Sequence, residues 1–167
     1  KDYFNSEKYR QSISDRNIEL RKQGRGISEY NRGYARGRQG TYNINGKDIF
    51  FRSLWEANYA IYLDFLIKQR EITKWEFEVD TFWFEKIRRG VRSYKPDFKI
   101  FNNNGSIEYH EVKGWMDNKS KTKIKRMAKY YPDIKLIIID GTSYKDIKSK
   151  MGRMLKFYEY INSSRRK

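Results

Sequence analysis

The chain has 167 residues, and its 37 Lys and Arg outnumber 21 Asp and Glu to give a formal net charge of +16. With no Cys and a single His, His110, it has no disulfide, thiolate zinc site, thiol nucleophile or iron–sulfur cluster, and too few imidazoles for a His-rich zinc centre. Any metal must be held by oxygen, which points to hard ions such as Mg²⁺ or Mn²⁺.

The excess positive charge speaks of partners rather than of fold. Nucleic acid is the leading partner, ahead of an anionic membrane surface or a merely solubilising charge. No apolar run approaches the roughly 18 residues of a membrane span, so a soluble protein is expected. The start, KDYFNSEKYR, lacks the apolar stretch of a signal peptide, and the first residue is Lys, so either the natural start is missing or the chain has been trimmed there. Absence of Cys suits a reducing cytoplasm. The 14 Tyr, 10 Phe and 4 Trp supply a core built largely from rings.

Residues 1 to 40 differ from the rest, with ten Lys or Arg against five acids. A helix is predicted over about 6 to 22, followed by a Gly/Arg-rich arm. Its Arg25, Arg32, Arg36 and Arg38 are candidates to track phosphates, which needs charge and backbone freedom but no fixed fold. The other reading of this segment is a solvated tail.

From about Thr41 to the end the pattern is that of a packed domain. Ser53 opens a helix on which Leu54, Ala57, Ile61 and Phe65 recur at helical spacing. In WEFEV, Trp75, Phe77 and Val79 alternate with Glu76 and Glu78, which predicts a strand, and TFWFE continues it or forms a second piece. Trp75, Phe77, Phe82 and Phe84 are read as core. RSYKPDFKIF and SIEYHEVKGW are two further strands joined by NNNG. Ile124, Met127, Ala128 and Tyr131 mark a helix ending before Pro132. KLIIID reads as a buried strand. A last helix from near Ser143 carries Ile147, Met151, Met154 and Tyr158. The class is α/β or α+β with a mixed sheet.

The candidate site is Asp97, Glu111 and Lys113, with Glu56 as a fourth member. Alternation along the second hairpin strand puts Glu111 and Lys113 on one face and His110 and Val112 on the other. A two-residue turn at Asn104-Gly105 would set Asp97 opposite Val112, on the wrong face. A three-residue loop, Asn103-Asn104-Gly105, sets Asp97 opposite Glu111 and puts Gly105 in the left-handed position that this loop type requires. The second register is predicted.

Pro-Asp on one strand of a hairpin and Glu-x-Lys on its partner, with a helix before and a helix and strand after, resembles the PD-(D/E)xK nuclease superfamily over roughly residues 46 to 141. FRSLWEANYAIYLDFL, RSYKPDF and YHEVKGW are most similar to small endonucleases of phages and mobile elements. The resemblance implies a restriction-endonuclease-like core and a phage- or bacterium-encoded enzyme at work in the host cytoplasm. It makes Asp97 and Glu111 metal ligands, Lys113 the residue beside the attacking water and Glu56 the helix acid that completes or orients the metal site. His110 departs from the usual apolar residue before Glu111.

Phosphodiester hydrolysis needs hydroxide brought to an anion that repels it. Two carboxylates suit Mg²⁺, which keeps several waters, and the Val112 carbonyl is a further candidate ligand. Lys113 then orients the water, stabilises charge or accepts a proton. Lys119, Lys121, Lys123, Lys125 and Arg126 directly follow the proposed site and are candidates for a DNA-facing edge. Each residue also has a plainer reading: Ser53 to Glu56 fits a capping box, Glu111 and Lys113 fit an exposed ion pair, and the five basic residues fit a solvated helix face. The expected function is Mg²⁺-dependent cleavage of DNA, with a homodimer or a second encounter needed to cut both strands. The rival expectation is a non-catalytic DNA-binding protein with a nuclease-like fold.

Overall fold

The computed structural model describes residues 39–158, within the second of two compact units, Gly37–Lys167. The predicted helix over 6 to 22, Arg25, Arg32, Arg36, Arg38 and the terminal Arg165-Arg166-Lys167 lie outside the described residues.

The described chain opens with a hairpin that the sequence reading assigned to no element: β1 (Gly40–Ile44) pairs antiparallel with β2 (Lys47–Phe51). Its signal was present in Asn45-Gly46, both with positive φ (50° and 82°), the two-residue turn that matches strand twist. Helix α1 (Leu54–Lys68) follows from an extended Ser53 cap, as predicted. Strand β3 (Ile72–Phe77) ends two residues early. Glu78 takes φ 48° and turns inward, leaving Val79 48% exposed and Glu78 buried, the reverse of the predicted alternation.

β4 (Phe82–Trp83) is a separate piece that pairs with β5 (Ser93–Tyr94). The single strand predicted from RSYKPDFKIF is thus divided, β5 lying in one sheet and β6 (Phe98–Asn102) in another. Pro96, which has no N–H to give to a ladder, sits in the break. β6 and β7 (Ile107–Val112) form the hairpin in the expected register, Phe98 opposite His110 and Lys99 opposite Tyr109. Asn102 N–H to Ser106 O (2.9 Å) and Gly105 N–H to Asn102 O (3.0 Å) close a three-residue loop, with Gly105 at φ 81°.

Helix α2 (Asn118–Tyr130) is capped by Asp117 and buries Ser120 and Met127, whereas Ala128, assigned to its apolar face, is exposed. β8 (Lys135–Ile139) runs parallel to β7 and, among the described residues, closes the sheet β3-β6-β7-β8 at its edge, so Leu136 to Ile138 are only half-buried. Helix α3 (Gly141–Met151) starts from Asp140 rather than near Ser143. It ends at Gly152, so Met154 lies beyond it and is 59% exposed.

The architecture is α+β, with one mixed sheet between two apolar layers. On one face Phe98, Ile100, Val112 and Ile139 pack with Ala57, Tyr59, Ala60 and Leu63 of α1, Tyr144 of α3 and Phe51 of β2, with Trp75 and Phe77 against them. The second layer holds Phe84, Tyr94 and Met127, with Phe82 and Tyr131 around them. Among the described residues no helix is long and apolar enough to cross a membrane.

Candidate active site

Asp97 sits one residue before β6, in the register that sets it opposite Glu111. Its Oδ2 accepts the Val112 N–H at 2.8 Å, so the side chain extends the hairpin ladder where the strand itself stops. Its Oδ1 lies 3.0 Å from Arg52 Nη2. The same Nη2 is 2.6 Å from Glu78 Oε1, and Glu78 N–H donates to the Asp97 carbonyl at 2.7 Å. The left-handed bend at Glu78 is therefore what brings that carboxylate to the hairpin.

Glu56 fits the capping-box reading with one change: its carboxylate reaches back to the N–H of Arg52, one residue before the Ser53 cap. Its N–H donates to Ser53 Oγ (3.2 Å), its Oε1 accepts from that hydroxyl (2.9 Å) and its Oε2 accepts from Arg52 N–H (3.0 Å). Its charge is close enough to act on Asp97. Glu111 is held through Oε2 by the Tyr94 hydroxyl at 2.9 Å. Beyond it lies a shallow pocket lined by Tyr94, Glu111, Lys113, Met116, Ser120, Lys123 and Ile124.

Glu56, Glu78, Asp97 and Glu111 are all at most 8% exposed, and all four raise the affinity of the Arg52 guanidinium for its proton against the opposing effect of burial. Burial pushes the Asp97 carboxyl well above its ordinary range, Glu111 and Glu56 push it further, and Arg52 and the Val112 N–H oppose. Glu111 is raised by burial against the Tyr94 hydrogen bond and the charges of Lys113, Arg52 and Lys123. Glu56 is raised by burial against Arg52 and Ser53. These carboxylates are crowded and dry, and they favour added positive charge.

Among the described residues no three His, Asp or Glu side chains stand as a ready-made metal cage. The carboxylates at hand are Asp97 and Glu111, with Glu56 and Glu78 also acting on Arg52; of Val112, expected to offer its carbonyl, the amide N–H is placed on Asp97. A small hard cation that keeps its waters and shares them with substrate oxygens suits so few protein ligands.

The structure separates the predicted basic residues. At about 100° per residue, Lys121 and Lys125 fall far around α2 from Lys123. Of the five, Lys123 lines the pocket, and it also lies 5.7 Å from the Tyr94 ring centre. Lys119 is exposed. Arg126 donates to the Val91 carbonyl and ties α2 to the segment before β5. His110 points to the α1 face, its Nδ1 2.8 Å from the Tyr59 hydroxyl and its Nε2 3.0 Å from Glu108 Oε1. Burial lowers its pKa, so the neutral ring accepts from Tyr59 and donates to Glu108.

Arg52, Glu78 and Tyr94 were missed. Tyr94 lies in the quoted RSYKPDF segment, but nothing in its spacing set it against Glu111. Regular alternation placed Glu78 with Glu76, on the other side from Phe77.

Residues 37–159, a span that takes in all of the described chain, match one protein family, described as a protein of unknown function (DUF1064). The chain belongs to the DUF1064 family. The match spans every described element, from β1 to α3. No curated protein and no solved structure matches the chain.

Proposed function

We propose that the protein is a divalent-metal-dependent endonuclease that hydrolyses DNA phosphodiester bonds, a member of the PD-(D/E)xK superfamily of phage or mobile-element type, acting in the cytoplasm of a bacterial host. One observation carries the reading: Asp97 and Glu111 occupy opposed positions of one hairpin, both buried, with Lys113 two residues on. A fold that only binds DNA has no use for carboxylates held beside one another out of water, where they repel the phosphate as well as each other.

Asp97, Glu111 and the Val112 carbonyl hold Mg²⁺ or Mn²⁺. When bound, such an ion supplies charge neutralisation at the phosphate and lowers the pKa of a water. Tyr94 fixes the Glu111 carboxylate through one oxygen. Glu56 and Glu78 hold Arg52 beside Asp97 and add negative potential that draws the cation in. Lys113 orients the attacking water and balances the charge that grows on the phosphorus oxygens. Lys123, beside Glu111, binds the neighbouring phosphate. Each chain offers one site, so cutting both strands takes a homodimer or a second encounter.

The test is plasmid cleavage by the parent, Asp97→Ala and Lys113→Ala, in Mg²⁺ and in EDTA. Cleavage by the parent in Mg²⁺ alone, lost in both variants, supports the assignment. A parent that binds DNA yet cuts no duplex, branched or single-stranded form in Mg²⁺ or Mn²⁺ overturns it in favour of a binding module.

A further inference from the structure

Trp115 stands 80% exposed, two residues after Lys113, whereas Trp55, Trp75 and Trp83 are half-buried. Its placement is enforced. A Cβ at Gly114 would lie 3.1 Å from Trp55 Cζ3, so the backbone there rests directly on the Trp55 ring. That ring is in turn stacked on Tyr144, 4.1 Å between centres and 10° from parallel. Three residues later Asp117 fixes the chain again as the cap of α2, accepting from Ser120 N–H at 2.6 Å. Between these anchors Met116 turns in to line the Glu111 pocket, and Trp115 turns out to water.

An exposed indole beside ammonium groups is the combination that binds single-stranded nucleic acid: lysines for phosphates and a ring for a base. Lys113 and Lys123 border the pocket, and Lys119 opens the next helix in an exposed position. Lys113 lies two residues from Trp115 and Glu111 four, spans of at most roughly 7 Å and 14 Å, about two and four stacked bases. Bases within an intact duplex are already stacked and offer no free face, so the ring can be covered only by a base that is unpaired or turned out of the helix.

We propose that Trp115 is a stacking platform for an unpaired base next to the phosphodiester bound at Asp97 and Glu111, which makes the preferred substrate a strand that is single or locally unpaired. This rests on the endonuclease reading above and narrows its substrate.

The experiment measures binding of the full chain, as parent, Trp115→Ala and Trp115→Phe, to labelled single-stranded, flapped and blunt duplex oligodeoxynucleotides in EDTA. A ribonucleotide single strand is run beside them, and the affinities are taken over a range of salt. The parent is expected to prefer unpaired strands. Trp115→Ala should lose on the order of 10- to 100-fold on those strands, with little change on duplex and no change in the salt slope, because a ring neutralises no phosphate. Trp115→Phe should keep most of the affinity. Equal losses on duplex and single strand, no loss at all, or a Phe variant as weak as Ala overturn the proposal. Tighter binding of the ribonucleotide strand through Trp115 supports stacking and moves the substrate to RNA. Parallel assays in Mg²⁺ keep the two readings apart. A parent that cuts while Trp115→Ala binds normally sinks only the stacking platform, whereas a parent that stacks but never cuts sinks the endonuclease.

Discussion

Arg52 reaches Asp97 across forty-five residues of sequence, Nη2 to Oδ1 at 3.0 Å, and holds Glu78 with the same nitrogen at 2.6 Å. One half-exposed guanidinium thereby balances buried carboxylates contributed by the start of α1, the end of β3 and both strands of the hairpin. Arg52→Met should destabilise the metal-free protein by about 1–3 kcal/mol, less than for a fully buried pair because the guanidinium keeps water contact. Mg²⁺ should restore more of the melting temperature in the variant than in the parent. Equal gains in the two would show that the guanidinium and the cation serve different charges.

Asp97 sets a sign for the dependence on pH. Its unfolded pKa is about 3.9 and its folded pKa lies higher, so between the two values the folded state holds more protons. The stability contributed by its protonated form is complete below the unfolded pKa and is lost as pH rises through the folded one. Asp97→Asn keeps an acceptor for the Val112 N–H and removes that loss. Without metal, the variant should therefore gain on the parent as pH rises from 4 to 8, measured by denaturant unfolding. It should also gain nothing from Mg²⁺. A constant difference across pH would mean that Asp97 is ionised in the folded protein throughout.

Lys113→Ala removes the ammonium beside Glu111 but no proposed ligand. Cleavage should fall on the order of 10²- to 10³-fold, while Mn²⁺ still binds in a titration followed by electron paramagnetic resonance. Loss of Mn²⁺ binding as well would make Lys113 part of the metal site's support.

The opposite face of β7 offers the control. Tyr59→Phe removes the hydroxyl that serves His110 Nδ1, leaving a buried acceptor unsatisfied at a cost of about 1–3 kcal/mol. Cleavage per folded molecule should be unchanged, because His110 and Glu111 point to opposite sides of the sheet. A change in rate at full folding would couple the two faces.

The hairpin was legible in the sequence because its information is local. Gly105 suits a two-residue turn as well as a three-residue loop, and the need to bring Asp97 to the face of Glu111 chose between the two registers; what the local signal marked was the hairpin itself. Ser53 and Glu56 were legible for the same reason. Val79 and Glu78 were assigned to the wrong sides because the strand ends at a positive φ that a glutamate does not advertise. The split at Pro96 was marked, but only by the residue that also belongs to the motif. Arg52 was illegible in another way: a charge that meets its partners, Glu78 and Asp97, so far along the chain leaves no periodic trace.

Asp97 does two jobs with two oxygens: one faces the charged cluster, and the other closes the last rung of the hairpin on Val112. Were the proposed catalysis lost in a lineage of this fold, the residue could still not be discarded freely, since Ala or Gly strands a buried amide. Asn keeps the rung and relieves the repulsion, so the expected mark of a retired site is an amide in place of the acid, on a hairpin otherwise intact.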